Sequence, residues 1–349
     1  VIRVLVFYQE VRKLVVKESK LFNQELEQFV SSIRAGRERE IARAITLLED
    51  QDPLSSKIMQ LLYQNYSKGY LIGITGPAGS GKSSLLNLLV KEYLKKTEEK
   101  IAVIAVDPTA QQSGGAFLGD RIRMKELYAN KQIFIRSMAS RESLGGVNAA
   151  VYDTAVILAA AGYQKVIIET VGVGQTEIDI VSLTDTTIVV TVPETGDEIQ
   201  IYKSQLIEIG DIFILNKSDL PQAAKMELLL KSLFALEKSD SLFQKRSAAL
   251  EWEKPLLKTS ALNNQGIAAV VEAINEHFNY LQKNNILAEN KNKQLKKHLL
   301  NLLLSRVTQK FSKKFKEEAK LEDYLAKILV GEAAPFQLIE EFVDNNLTN

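Results

Sequence analysis

Gly76-Pro77-Ala78-Gly79-Ser80-Gly81-Lys82-Ser83 is the stretch from which the rest of the chain is read. It fills every fixed position of G-x-x-x-x-G-K-[ST]. Both flanks suit the motif: an apolar run, Leu71–Thr75, reads as a strand, and Ser84–Lys95 reads as a helix. The glycines let backbone N–H groups turn inward around a phosphate where a Cβ would obstruct. The helix start adds partial positive charge. Residues Gly76 to Ser84 therefore form a candidate phosphate cradle. Lys82 is placed to neutralise β- and γ-phosphate oxygens, and the Ser83 hydroxyl to ligate Mg²⁺. A glycine turn carrying Lys-Ser by chance would not also have a strand before it and a helix after it.

Working outward, short apolar runs alternate with helical stretches. The predicted strands are Leu71–Thr75, Ile101–Asp107, Ile133–Arg136, Val166–Glu169, Thr187–Val192, Ile212–Leu215 and Leu256–Thr259. This alternation argues for an α/β fold with a mainly parallel sheet flanked by helices, as in P-loop NTPases. Residues 69–283 are read as this nucleotide domain. Before it, 21–68 reads as a helical region, with Leu26, Phe29, Val30 and Ile33 at helical spacing. Residues 1–20 are read as an extension outside the core. Their apolar pattern is broken by Arg3, Glu10, Arg12 and Lys13, unlike a signal peptide.

Residues 284–349 are helical again. Lys291 to Lys316 holds nine Lys/Arg and no Asp/Glu, and its Leu295, Leu299, Leu302, Leu303, Val307, Phe311 and Phe315 mostly recur every three or four residues. This is an amphipathic helix with a basic polar face. A solvated face on a packed helix, a self-association arm, and a membrane or nucleic-acid contact all remain open for it.

Composition narrows the chemistry. The 349 residues carry 44 Lys/Arg against 43 Asp/Glu, so no whole-molecule field draws the chain to nucleic acid or an acidic membrane. There is no cysteine, which excludes disulfides, thiolate metal sites and a cysteine nucleophile. The two histidines, His277 and His298, both fall outside the phosphate motif. No apolar run is long enough to span a membrane. A cytoplasmic protein without membrane or nucleic-acid partners is expected.

Asn216-Lys217-Ser218-Asp219 follows the apolar run Ile212–Leu215 and matches N-K-x-D. An Asp219 carboxylate can accept from both N1–H and the 2-amino group of guanine. Adenine lacks that pair of donors and would leave the carboxylate unpaired. Asn216 is read as a brace for the loop and the Lys217 stem as cover for the base. Ser260, Ala261 and Leu262, after the last strand, read either as a second base loop presenting a backbone N–H to guanine O6 or as an ordinary helix cap. Glu169-Thr170-Val171-Gly172 ends an apolar strand and has the form of D-x-x-G with Glu for Asp. Glu169 would reach Mg²⁺ through water, and the Gly172 N–H would sense the γ-phosphate. Val173 follows, where Ras-like proteins have a water-orienting Gln, so slow intrinsic hydrolysis is predicted.

Further stretches carry a resemblance. They are Val106-Asp107-Pro108-Thr109, Ser113 to Met124 (with Asp120, Arg121 and Arg123), Arg136-Ser137 with Ser143 to Gly146, Glu169 to Gln175, and Gly196 to Gln200. In order and spacing they resemble the MeaB/ArgK/MMAA family of P-loop GTPases. The resemblance implies Mg²⁺-dependent GTP binding and hydrolysis. It also implies chaperoning of an adenosylcobalamin-dependent acyl-CoA mutase, methylmalonyl-CoA mutase above all, and a homodimer built on the C-terminal helices. It assigns Asp107, Asp120 and Glu169 to the acidic set around Mg²⁺, and Lys203 to a γ-phosphate contact in a mutase-sensing segment. Glu194-Thr195 and Glu142 depart from the family pattern in loops that answer to the partner, so the partner's identity stays open. An alternative is an ATPase or kinase linked to lysine/arginine/ornithine transport, against which N-K-x-D argues. A nickel- or zinc-delivery GTPase would need Cys/His clusters that this chain cannot build.

Overall fold

The computed structural model describes residues 22–64, 69–107, 127, 130–139, 146–170, 183–193, 206–239, 252–317 and 320–347. Each of the seven predicted apolar runs forms a strand: β1 (Tyr70–Thr75), β2 (Lys100–Asp107), β3 (Ile133–Ala139), β4 (Tyr163–Thr170), β5 (Thr186–Thr191), β6 (Ile212–Leu215) and β7 (Leu256–Lys258). They make one sheet in the order β3-β2-β4-β1-β5-β6-β7, and every pairing is parallel. β1, β5 and β6 are buried at every residue, which explains why they read as continuous apolar runs rather than alternating ones.

The strand period divides the core between two faces. Leu71, Ala102, Ile104, Val106, Val166 and Ile168 point to one face. There they meet α5 (Gly146–Ala160), itself covered by α1 (22–34), α2 (Glu38–Glu49) and α3 (Pro53–Tyr63). Being covered on several sides, α5 is largely apolar, and Val151 to Ala159 are all buried, Asp153 and Thr154 among them. Ile72, Ile74, Ile101, Val103, Ile167, Ile188, Val190, Ile212 and Ile214 point to the other face, against α4 (Lys82–Lys96) and α8 (Ile267–Lys283). Two further helices, α6 (Leu206–Ile209) and α7 (Ala223–Ser239), pack at the β6 end, where Leu215, Met226 and Leu230 are buried together.

The long helix α9 (Ile286–Glu317) divides its polar residues between two environments. A solvated basic face was one of the three readings open for it. Lys293, Lys296, Arg306 and Lys310 are exposed, as that reading has it, whereas Lys291, Gln294 and His298 are buried against the body, and Leu295, Leu299, Leu303 and Val307 are exposed. Those three polar residues face inward because the body offers them carboxylates and backbone carbonyls, while Ile286 and Leu287 pack against its apolar core. Farther along, Arg306 donates to Ser56 Oγ at 2.7 Å, so α9 also lies along α3. Its last turns join α10 (Lys320–Leu329) and α11 (Pro335–Leu347) around a small separate core of Tyr324, Leu338 and Phe342, with Phe311 and Phe315 against it.

Candidate functional site

The parallel sheet sends the C-terminal ends of β1, β2, β4, β5 and β6 to one edge, which is where ligands bind in open α/β sheets. β1 ends there at Thr75, and the chain turns through Gly76 and Gly81, both with positive φ (140° and 85°), before α4 begins at Lys82. The helix thus starts two residues earlier than the sequence suggested, placing Lys82 and Ser83 in its first turn. A Cβ on Gly76 would strike the Val190 carbonyl of β5, and one on Gly81 would stand 2.5 Å from Asn216 Nδ2. Only glycine fits either place.

Lys82 is buried, and its ammonium donates to the carbonyls of Gly76 (2.6 Å) and Pro77 (3.0 Å), so it lies back across the loop it follows. The Ser83 hydroxyl donates to Glu169 Oε1 at 2.6 Å, joining the phosphate motif to the end of β4. Two hard oxygens therefore converge beside the loop. Asp107 ends β2, whose Val106 pairs with Thr170, so the chain brings it to the same edge. Pro77 and Ala78 form the loop's outer rim, and Ser84 is exposed on the first turn of α4.

Asn216 ties the glycine loop to the N-K-x-D loop and to the loop after β7, the candidate phosphate and base sites. Its Nδ2 donates to the Ser80 carbonyl at 2.8 Å. Its Oδ1 accepts from Thr259 Oγ1 at 3.1 Å and from the Ala261 N–H at 3.2 Å. The Ser218 N–H donates to the Thr259 carbonyl at 2.9 Å, so the two base loops also hold each other. Lys217 takes positive φ (55°), an uncommon conformation for a side-chain-bearing residue that turns the chain sharply and leaves Asp219 exposed at the rim. Ser260 is buried, and Leu262 is 89% exposed. Within the loop read as presenting a backbone N–H to guanine O6 or as a helix cap, the Ala261 N–H is engaged by Asn216. The brace predicted for Asn216 is present, but its partners, the Ser80 carbonyl and the Thr259 hydroxyl, escaped the sequence reading. Thr259 immediately precedes the Ser260-Ala261 pair, and that position was the available signal.

Gly172, Asp120 and Lys203 lie outside the described residues, as do Arg121, Arg123 and residues 1–20. Both histidines stand away from this edge. His277 shares a hydrogen bond with Thr186 Oγ1 at the start of β5 (2.7 Å), and burial pushes it down to about 4. His298 lies 3.0 Å from Asp153 on α5. Among the described residues, no three His, Cys, Asp or Glu side chains gather to hold a metal, and no helix is long and apolar enough to cross a membrane.

A strand, glycine loop and helix carrying Lys82 and Ser83, braced by Asn216 to an N-K-x-D loop, define a P-loop protein of the GTPase class. Comparison with known proteins agrees. The profile of the family described as methylmalonyl Co-A mutase-associated GTPase MeaB matches residues 41–316. A protein of Pyrococcus horikoshii named as a GTPase is 36% identical over 313 residues, covering 90% of this chain and 96% of its own. GTPase ArgK of Escherichia coli is 33% identical over 257 residues, covering 71% of this chain and 75% of its own. The chain belongs to the MeaB family of GTPases. Its fold is shared by a solved structure titled LAO/AO transport system kinase (TM-score 0.66, 23% identity, 91% of this chain and 96% of that one). At that identity the likeness speaks for the fold alone. A methylmalonic aciduria type A homolog, mitochondrial, of Caenorhabditis briggsae is 29% identical over 302 residues, 82% of this chain and 72% of its own.

Proposed function

We propose that this GTPase binds GTP with Mg²⁺ at residues 76–84 and acts as a nucleotide-timed chaperone of an adenosylcobalamin-dependent acyl-CoA mutase, methylmalonyl-CoA mutase first. The observation that carries the nucleotide assignment is the Asn216 bridge. One buried side chain fixes the distance between the loop that would hold phosphate and the loop that would read guanine. Asp219, exposed at the rim, accepts from guanine N1–H and the 2-amino group, and the Lys217 stem covers the base. The phosphate oxygens take Lys82 from the Gly76 and Pro77 carbonyls. Gly172 senses the γ-phosphate, and Ser260, Ala261 and Leu262 line the base.

Ser83 and Glu169, 2.6 Å apart, have the hard-oxygen chemistry that suits Mg²⁺, with Asp107 and Asp120 completing the set. Bound there, the ion supplies positive charge to the β- and γ-phosphate oxygens. Hydrolysis is attack of a water oxygen on the γ-phosphorus. The bond from that phosphorus to the bridging oxygen breaks, GDP leaves, and the water's proton ends on phosphate or solvent. Lys82 offsets the charge that develops, and Lys203 is a further contact for it. The chaperone role comes by family membership and by the name of the Caenorhabditis relative.

The exposed leucines of α9 support pairing with a second copy. Leu295, Leu299 and Leu303 repeat every four residues, giving one continuous apolar stripe that a symmetry-related α9 matches. Titration of GTP against ATP, with and without a purified mutase, tests the whole reading. Tight GTP binding, slow turnover and a higher rate with the mutase are expected. ATP preference would point to the kinase reading instead, and an indifferent mutase would remove the chaperone role.

A further inference from the structure

Helix α9 meets the body through polar groups at every buried position of its first half. Lys291 Nζ donates to the Gly69 carbonyl (2.9 Å) and to Asp185 Oδ2 (2.6 Å). Gln294 Nε2 donates to Asp185 Oδ1 (3.0 Å) and to the Thr184 carbonyl (3.2 Å). Asp185 also accepts from the Leu71 N–H at 2.9 Å. Two turns on, His298 meets Asp153 at 3.0 Å and stacks on Tyr152, ring centroids 4.4 Å apart. Lys291, Asp185, Gln294 and His298 are 4%, 3%, 3% and 2% exposed. Buried charge pairs contribute little net stability, because desolvation offsets their attraction. Register is what they enforce: sliding or turning α9 strands a buried charge.

The position of this clamp matters. Asp185 stands at the foot of both β1 and β5. The top of β1 runs directly into Gly76. At the top of β5, the Val190 carbonyl abuts Gly76 and the Thr191 carbonyl accepts from the Asn216 N–H at 2.8 Å. The strands pinned to α9 below are the ones that shape the phosphate and base loops above. At the top, phosphate oxygens compete with the Gly76 and Pro77 carbonyls for Lys82. A load on Gly76 is a load on β1, and β1 is hydrogen-bonded at its foot to the carboxylate that holds α9.

We propose that the Lys291–Asp185–Gln294 clamp, assisted by His298–Asp153, couples the placement of the C-terminal arm to the nucleotide on the phosphate loop. The arm takes one position with GTP and another with GDP. By linkage, anything that fixes the arm, a second copy or a partner, shifts the relative affinity for the two nucleotides by the same factor. The inference rests on GTP binding at residues 76–84.

The chain has no cysteine, so spin labels go only where they are placed. Lys296→Cys on α9 and Lys131→Cys beside β3 are both exposed. Labelled chain is diluted into excess unlabelled chain, so that distances within one chain are read. A shift of ~2 Å or more between GDP and a non-hydrolysable GTP analogue is the expected result, on the scale of helix displacements in switching proteins. Combining Lys291→Met with Asp185→Asn removes both charges together, leaving none stranded, and should abolish that shift while guanine nucleotide still binds. Equal distances with both nucleotides, or a shift that survives in the double variant, would overturn the coupling. If the double variant does not fold, the labelled chain with native Lys291 and Asp185 decides alone. Should the chain bind no guanine nucleotide, the functional proposal itself falls; should it bind while the arm stays still, only the coupling falls.

Discussion

Asn216 is the residue on which the site's geometry turns. It is 1% exposed, and both ends of its amide are engaged. Asn216→Ala leaves the Ser80 carbonyl and the Thr259 hydroxyl without that partner, each a loss of ~1–3 kcal/mol if left unsatisfied. Guanine nucleotide affinity is predicted to fall by ~10- to 100-fold, read by titration of a fluorescent GDP. An unchanged affinity would refute the bracing role. His277 gives a second residue-scale prediction. It is 2% exposed, and desolvation lowers it from 6.5 to about 4. Between those values the unfolded chain takes up a proton that the folded chain refuses, so stability is present above pH ~6.5 and is lost as pH falls toward 4, by up to roughly 3 kcal/mol. Nearby Asp211, pushed up to about 7 chiefly by desolvation, works in the opposite direction. Its side chain keeps 33% exposure, so solvent screens part of that shift. The His277 contribution is therefore read as a difference. The stability margin of the unsubstituted chain over His277→Gln should shrink on acidification in denaturant melts.

At the scale of the element, the apolar runs gave away each described strand, most plainly β1, β5 and β6, because a strand buried on both faces needs apolar residues throughout. Periodicity likewise marked α9 as a helix but left its environment open. A hydrophobic stripe says that something covers it, not what. The partners of the inward polar face are remote in sequence; Lys291 and Asp185 are 106 residues apart. Replacing Leu299 and Leu303 together by Glu places charge on the exposed stripe and touches none of the clamp. The double variant is predicted to be monomeric in sedimentation while hydrolysing GTP at the basal rate. A dimer that persists would remove α9 from the pairing surface.

For the whole molecule, removal of α9 to α11 has two consequences rather than one. A chain ending at Lys283 loses the proposed pairing surface and should sediment as a monomer. It also uncovers Tyr152 and Asp153 on α5 and deprives Asp185 of Lys291 and Gln294. Breaking a buried pair from one side costs ~3–5 kcal/mol, so a markedly lower melting temperature is expected. A truncated chain as stable as the full one would mean that the clamp contributes nothing to the body.

By itself the sequence determined the parallel α/β class, and it marked the glycine loop at 76–83 and the N-K-x-D tetrapeptide at 216–219 as the candidate phosphate and guanine sites. Each depends on neighbouring residues: glycines where the chain must turn, and Lys82 and Ser83 one helical step beyond them. Only the tertiary structure decided that Asn216 bridges Ser80 to Thr259, that Ser83 meets Glu169, and that Lys291, Gln294 and His298 of α9 turn inward onto Asp185 and Asp153. Those are matters of which buried polar groups face one another across the sheet. Burial favours pairing of such groups, and the partner is chosen by the fold, not by spacing along the chain.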